Sequence, residues 1–461
     1  MTQEELKNRA EVLTKLAGTD WLCGDFSASL KHFQEALELY QKLGDLDNVA
    51  TVHLWLGRIF CMSYPGLADE AKAMKHAQAA LTILEPGPDT PQKGLTYQLL
   101  AALHLYQDKP ATSVLWAEKA IGIFEKLGIF MGTSLGTARA WAGELDRGIE
   151  YQENNWEPTV RGGNAIAIAI CGLSIILSHT LARNIPVALK WEKIALPEIT
   201  RLAMPGAVTY VNWALMLTYV LSGKTHKATE TFHMVEGSET AIGGTWQESA
   251  SLGLLHFRLG EWDKANEVLQ AALSAHEGSH NHAAINGCSF ALGSLNLEQG
   301  NYLKAEELLL RSLEICQNGG NVLFELWVLP VLAELYLKMG QPDKAAEYVD
   351  RGFELMKPDK NWYGLPAPMY LARGMLAAAR QDWATAAESF DKSIQINRQY
   401  QLPWDEARTL YERGLMYLSR NSKGDREKAH EDLDEALAIF QKVGARKDVE
   451  KVLRKKEMLG A

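Results

Sequence analysis

The chain has 461 residues, 47% hydrophobic and 23% charged, the balance of a folded chain and not of a disordered one. A formal net charge of −10 leaves no global basic field, which excludes non-specific attraction to nucleic acid or anionic lipid. Five cysteines, Cys23, Cys61, Cys171, Cys288 and Cys316, stand far apart without a C-x-x-C pair, which excludes a disulfide scaffold and fits a reducing compartment.

The first residues, MTQEELKNRAEVL, are polar and include acids, unlike a secretory leader, so the chain is read as cytoplasmic. One signature then recurs along it. A Gly or polar turn residue is followed by an aromatic or polar residue, by Ala five places on, and by a small–apolar pair twelve and thirteen places on. Clear copies begin at Gly24, Gly260, Gly300, Gly340, Gln381 and Gly424, and weaker ones at Ala68, Asp108, Gly143, Arg183 and Gly223. The intervals are 44, 40, 35, 40, 40, 37, 40, 40, 41 and 43 residues, which marks a repeat array. A small residue stands seven places before several anchors, at Ala101, Gly136, Gly253, Gly293, Ala333 and Gly374, where two helices can approach closely. Apolar residues at helical spacing flank each turn, so each unit is a helix–turn–helix hairpin with a helix A before the anchor and a helix B after it.

Departures from the pattern are local. SYPG near Ser63 and NSK near Asn421 lengthen two turns, and the Gly-rich stretch from Gly128 to Gly163 fits worst. The apolar run Ala165 to Leu177 falls below the about 20 residues that cross a bilayer and reads as a buried helix. The chain closes with a basic helix from Arg446 that caps the last unit.

The small residue in helix A, the turn Gly, the aromatic two places later and the Ala five places later resemble the tetratricopeptide repeat over nearly the whole chain. Units near forty residues resemble the long variety found in the MalT-like sensor region of bacterial signal-transduction ATPases and in kinesin light chains. Segments such as ALELYQKLGDLDN extend helix B to a Gly that can serve as a C-cap. The resemblance implies an all-α, right-handed α-solenoid of about eleven helix-turn-helix repeats over residues 1–461. Within it, N-terminal repeats occupy 1–127, an irregular repeat or hinge 128–163, apolar central repeats 164–259, regular repeats 260–445 and a capping helix 446–461.

Catalytic constellations are absent from the sequence. SGKT at Ser222 to Thr225 has Thr218 where a phosphate loop needs its first Gly, and the HNH triplet at His280 to His282 lacks the spacing of a zinc site. The expectation is a non-enzymatic protein without cofactor or metal.

The resemblance also implies that helix A lines the concave face, with groove positions thirteen, ten, six, three and two places before each anchor. These include Phe130 and Trp141 before Gly143, and Tyr210, Trp213 and Leu217 before Gly223. They continue with Gln247, Leu254, Phe257 and Arg258 before Gly260, with Trp246 at the lip. Before Gly340 they are Trp327, Pro330, Glu334 and Lys338. Trp141, Trp213 and Trp327 either offer stacking faces to a ligand or are buried by an irregular superhelix. The helices around Ile166 to Leu221 are apolar on every side and must be enclosed by tight winding, a ligand or a second subunit, which makes them the preferred site.

The first reading is a recognition module holding a partner protein or peptide in the groove, in signalling or regulation. The alternative is a small-molecule sensor, for sugars or metabolites, of a larger signal-transduction ATPase or transcriptional regulator. No direct contact with nucleic acid or membrane is expected, and a homo-oligomer would form through the apolar central repeats.

Overall fold

The computed structural model describes residues 2–23, 25–61, 67–129, 134–201, 205–235 and 246–460, with the side chains of all of these except 22–23, 166, 205–207, 209–210, 235, 246–249 and 459–460. Twenty-three helices and no strand occur among the described residues. The first three pairs are α1 (Gln3–Cys23) with α2 (Phe26–Leu43), α3 (Leu46–Cys61) with α4 (Glu70–Leu84), and α5 (Pro91–Tyr106) with α6 (Pro110–Lys126). Next come α7 (Leu135–Trp141) with α8 (Leu145–Gly162), α9 (Ala165–Leu181) with α10 (Ile185–Arg201), and α11 (Pro205–Leu221) with α12 (Thr225–Val235). Then follow α13 (Trp246–Leu259) with α14 (Trp262–Ser279), and α15 (His282–Glu298) with α16 (Tyr302–Gly319). The last pairs are α17 (Val322–Lys338) with α18 (Pro342–Leu355), α19 (Pro366–Ala379) with α20 (Trp383–Gln399), and α21 (Pro403–Arg420) with α22 (Asp425–Val443). A single helix, α23 (Arg446–Gly460), ends the chain and packs on α22 and α13. The protein is therefore an all-α solenoid of eleven hairpins and one terminal helix.

Most anchors read from the sequence stand where a first helix stops; Gly424 lies three places beyond Asn421, which closes α21, and Gly24 lies outside the described residues. Asp108, Gly143, Arg183, Gly223, Gly260, Gly300, Gly340, Gln381 and Gly424 all have positive φ. At Gly340 the amide donates to the Leu337 carbonyl while the next amide, of Gln341, donates to Tyr336. This pair of bonds satisfies the last free carbonyls of α17 and turns the chain through a left-handed residue, a conformation glycine adopts without steric cost. Side-chain caps start many of the helices: Asn281 accepts from the Ala284 amide and Asn321 from the Phe324 amide. Inside each hairpin the small positions let the helices touch. Ala265, Ala305, Ala345, Ala386 and Ala429, five places after their anchors, are fully buried, and a Cβ on Gly293 would stand 2.7 Å from Leu309.

The lengthened turn expected at Asn421 is present, with left-handed residues at both Asn421 and Gly424. The SYPG segment lies outside the described residues. In the Gly-rich region α7 has only 7 residues.

The coil is wound tightly enough for successive superhelical turns to touch. Asp108 accepts from Asn286 and Asn321, the Gly143 carbonyl from Lys360 Nζ, and Asp146 from the Asn361 amide and the Tyr363 hydroxyl. Further on, the Gly364 amide donates to Ala182 and Thr225 Oγ1 to the Val443 carbonyl. The side-chain bonds in this series span 178 to 218 residues, about five forty-residue units. The left-handed A–B turns of the third to seventh units thus form a seam with the B–A connections of the eighth to eleventh. This winding encloses the apolar central helices: Ile175, Ile176, Val211 and Met216 are fully buried, and α9 and α11 share a hydrogen bond between Thr180 and Thr218.

Two predictions follow from the seam. A Cβ on Gly319 would overlap the Asp108 carbonyl oxygen, whereas one on Gly122 meets nothing within 4 Å. Gly319→Ala is expected to destabilise the protein by about 2–4 kcal/mol in urea denaturation, and Gly122→Ala to stabilise it by about 0.5–1 kcal/mol. Burial raises the Asp108 carboxyl to about 6, against the opposing bonds from Asn321 and Asn286. Because the folded pKa lies above the unfolded one, the stability it contributes is complete below about pH 4 and is lost as pH rises through 6. Relative to Asp108→Asn, the wild type should therefore lose about 2–3 kcal/mol between pH 4 and pH 7 in paired denaturation curves.

Candidate functional site

Five first helices of the C-terminal half, α13, α15, α17, α19 and α21, surround a cavity that opens to solvent on one side. Its apolar wall includes Leu254, Phe257, Phe290, Trp327, Leu371 and Met375. Its polar wall is ionic: Arg258 from α13, Glu298 from α15, Glu334 from α17, Asp405 and Arg408 from α21, and Arg183 from the turn between α9 and α10. Arg183 arrives from the neighbouring superhelical turn, projected inward by its left-handed backbone.

The six charges divide into two groups. Arg408 Nη2 lies 2.6 Å from Glu334 and 3.5 Å from Glu298, and Lys451 from α23 lies 3.6 Å from Glu298. Burial alone would raise the Glu334 carboxyl, but Arg408 and Lys338 hold it below the ordinary range. That pairing is complete. At the other end, Asp405 serves two guanidinium groups, with Arg183 Nη1 at 3.1 Å and Arg258 Nη2 at 3.8 Å. Burial would raise Asp405 too, and the charges of Arg183 and Arg258 outweigh it. Arg183 and Arg258 are each only 7% exposed. The Nε and Nη1 of Arg258, Nη1 of Arg183 and Oδ2 of Asp405 have no hydrogen-bond partner. Burial pulls Arg258 down to about 10, with Arg183 and Arg408 adding to the effect.

Aromatic rings carry these cations. The Arg258 guanidinium sits 3.3 Å from the Trp404 ring centroid and that of Arg408 4.9 Å from it, while Arg183 lies 4.5 Å from Trp327. Such contacts reach about 2 kcal/mol when shielded from water. Trp327 is held by its Nε1 donating to the Leu181 carbonyl and by Phe290 edge-on at 6.0 Å; Trp404 is held by its Nε1 donating to Asp448.

The cavity brings together Phe257, Arg258, Trp327 and Glu334 among the residues expected to face the groove, along with Leu254 and Pro330. Lys338 is exposed at the end of α17. Trp141 and Trp213 are buried in the core, Trp141 edge-on against Phe324 at 5.3 Å and Trp213 with 1% exposure, because the winding fills the groove at their level. Leu217 packs against the same core. Phe130 and the side chains of Tyr210, Trp246 and Gln247 lie outside the described residues. The cavity stands C-terminal to the preferred apolar region, which contributes Arg183 at the α9–α10 turn and the α13 residues.

The residues missed by name were within reach of the register. Counted from Gly300 the same offsets fall on Phe290, Ser294, Leu297 and Glu298, and from Gln381 on Pro368, Leu371 and Met375, all on the cavity wall. Arg408 stands thirteen places before Asn421, the residue that closes α21; the NSK insertion displaces the count from Gly424. Arg183 carried a different signal, a long side chain at an anchor where glycine is usual.

Among the described residues no cluster of three or more His, Cys, Asp or Glu could hold a metal ion, and no helix is long and apolar enough to cross a membrane. Residues 283–357 match the family model of the tetratricopeptide repeat. In that span the units are similar to tetratricopeptide repeats. No curated protein matches the chain. Among solved structures it is similar to "Rap Protein Complexed with Competence and Sporulation Factor", at 13% identity and a TM-score of 0.48 over 86% of this chain and 98% of that one. It is also similar to "phAimR-Ligand", at 12% and 0.48 over 84% and 97%, and to "Human IFIT1 dimer with PPP-AAAA", at 15% and 0.45 over 89% and 91%.

Removing the shared carboxylate tests the ionic wall. Asp405→Asn leaves two buried guanidinium groups without a counter-charge and is expected to destabilise the fold by about 3–5 kcal/mol, read from urea denaturation at neutral pH.

Proposed function

We propose that this protein is a non-catalytic sensor module that takes a small organic molecule into the cavity enclosed by α13, α15, α17, α19 and α21. One observation carries this reading. The superhelix is wound onto itself, so what remains of its inner face is a confined, aromatic-lined cavity with a mouth instead of a long open channel. An extended peptide needs a groove with alternating pockets, whereas a small ligand needs a concave site, mainly apolar, with a few convergent polar groups. The mixture of Phe290, Trp327, Arg258 and Asp405 on its walls suits the second. The resemblance of the long units to MalT-like sensor regions supports the same reading, with the output in signalling or regulation.

A thermal-shift screen of metabolites tests the proposal. Ala291 lies on the wall with its side chain partly exposed to the cavity, so Ala291→Phe should fill the space at a stability change within about 1–2 kcal/mol. Compounds that raise the melting temperature of the wild type are expected to lose their effect in this variant. Binding of an extended peptide with equal affinity to wild type and Ala291→Phe, with no metabolite shifting the melting curve, would overturn the reading.

A further inference from the structure

Resting on the cavity as a small-molecule site, the geometry points to a ligand class: a compound with one carboxylate on an aromatic or apolar body, its carboxylate received by Arg258 and Arg183 at the α9–α10 end of the chamber.

Three observations lead there. The first is the unequal pairing of charge. Glu298 and Glu334 are taken up by Arg408 and Lys451, which leaves Asp405 as the one carboxylate within 4 Å of the two guanidinium groups, with Asp448, bonded to Trp404 Nε1, acting on Arg258 from farther off. The second is unmet hydrogen-bonding capacity. Arg258 is 7% exposed, yet its Nε and Nη1 donate to nothing, and Arg183 Nη1 lies near Asp405 without a hydrogen bond. A buried donor left unsatisfied is costly, more so when charged, and an arriving anion would recover that cost. The third is position. Both arginines lie on the wall of the same cavity that Phe290, Leu371 and Met375 line. An acid bound at the arginines would therefore lay its apolar body against those rings and methylenes.

The charge count also selects among anions. A monoanion matches the one guanidinium, Arg258, whose nearest carboxylate oxygen stands 3.8 Å away. A phosphate monoester, with close to two negative charges at neutral pH, would leave one uncompensated in a space where burial is expensive. Arginine presents its donors in a fork that matches a carboxylate, and the stacking of Arg258 on Trp404 holds that fork in place before the ligand arrives.

Titration calorimetry with phenylacetate, phenylacetamide and phenylphosphonate tests the inference. The acid and the amide share shape and differ in charge, and the phosphonate supplies the dianion. Phenylacetate is expected to bind about tenfold or more tightly than either of the others. In Arg258→Met that preference should vanish while phenylacetamide still binds, which shows that the chamber remains intact. Arg258→Lys, which keeps the charge but not the fork, should retain part of the preference and serves if the Met variant does not fold. Phenylacetate should also raise the melting temperature of Asp405→Asn more than that of the wild type, since the added anion replaces the missing one. Equal affinity for acid and amide would overturn the carboxylate subsite and leave the cavity reading standing. A tighter phosphonate would overturn the choice of a monoanion. Failure of all three probes at millimolar concentration would overturn the subsite together with the cavity reading.

Discussion

A left-handed residue at the end of nine of the eleven first helices is the constraint on which the rest of the structure depends. It closes the helix by returning two amides to the last free carbonyls, and it sends the chain back at an angle that repeats from unit to unit. Because the unit repeats, so does the placement of these turns, and from Asp108 to Gly260 they face the connections that follow the second helices five units later. The seam is built from backbone carbonyls, a buried aspartate and close glycine contacts, groups with short reach that permit one separation between turns of the coil.

That separation governs the inner face. A looser coil of the same hairpins would present a continuous groove, with Trp141 and Trp213 along it. Here the neighbouring turn occupies the groove over much of its length, and the space that remains lies where the inward-facing side chains of five successive first helices leave a gap lined by Phe290, Trp327 and Trp404. The ionic wall occurs at this gap because the Arg183 turn enters it. Charged residues buried there need partners, and α21 supplies Asp405 and Arg408 within one helical turn of each other, on the same face.

Much of the architecture was legible in the sequence, since the repeat signature has direct physical causes. Anchors at Gly260, Gly300 and Gly340 marked backbone that needs positive φ, and the Ala five places later marked a close helix contact. Where helix A has its usual length, the offsets for the inner face fall on Phe257, Arg258, Trp327 and Glu334, which line the cavity. What remained hidden was the pitch. Whether Trp213 faces solvent or the next turn depends on contacts five units distant, such as Thr225 with Val443, and no local pattern encodes them. The same reason concealed the partnership of Arg183 with Asp405, two residues that belong to different repeats and meet only after the coil closes. The NSK insertion before Gly424 obscured Arg408 by displacing the count three places.

Arg183 and Asp405 sit on adjacent turns of one coil, so the distance between them is a local measure of its pitch. In a spring of identical units, a small change in the spacing of two adjacent coils is shared by every unit between them and adds up along the axis. A molecule seated against Arg183 beside this pair would hold a gauge whose reading is transmitted to both ends of the chain, without any hinge and without moving a single hairpin far from its neighbour.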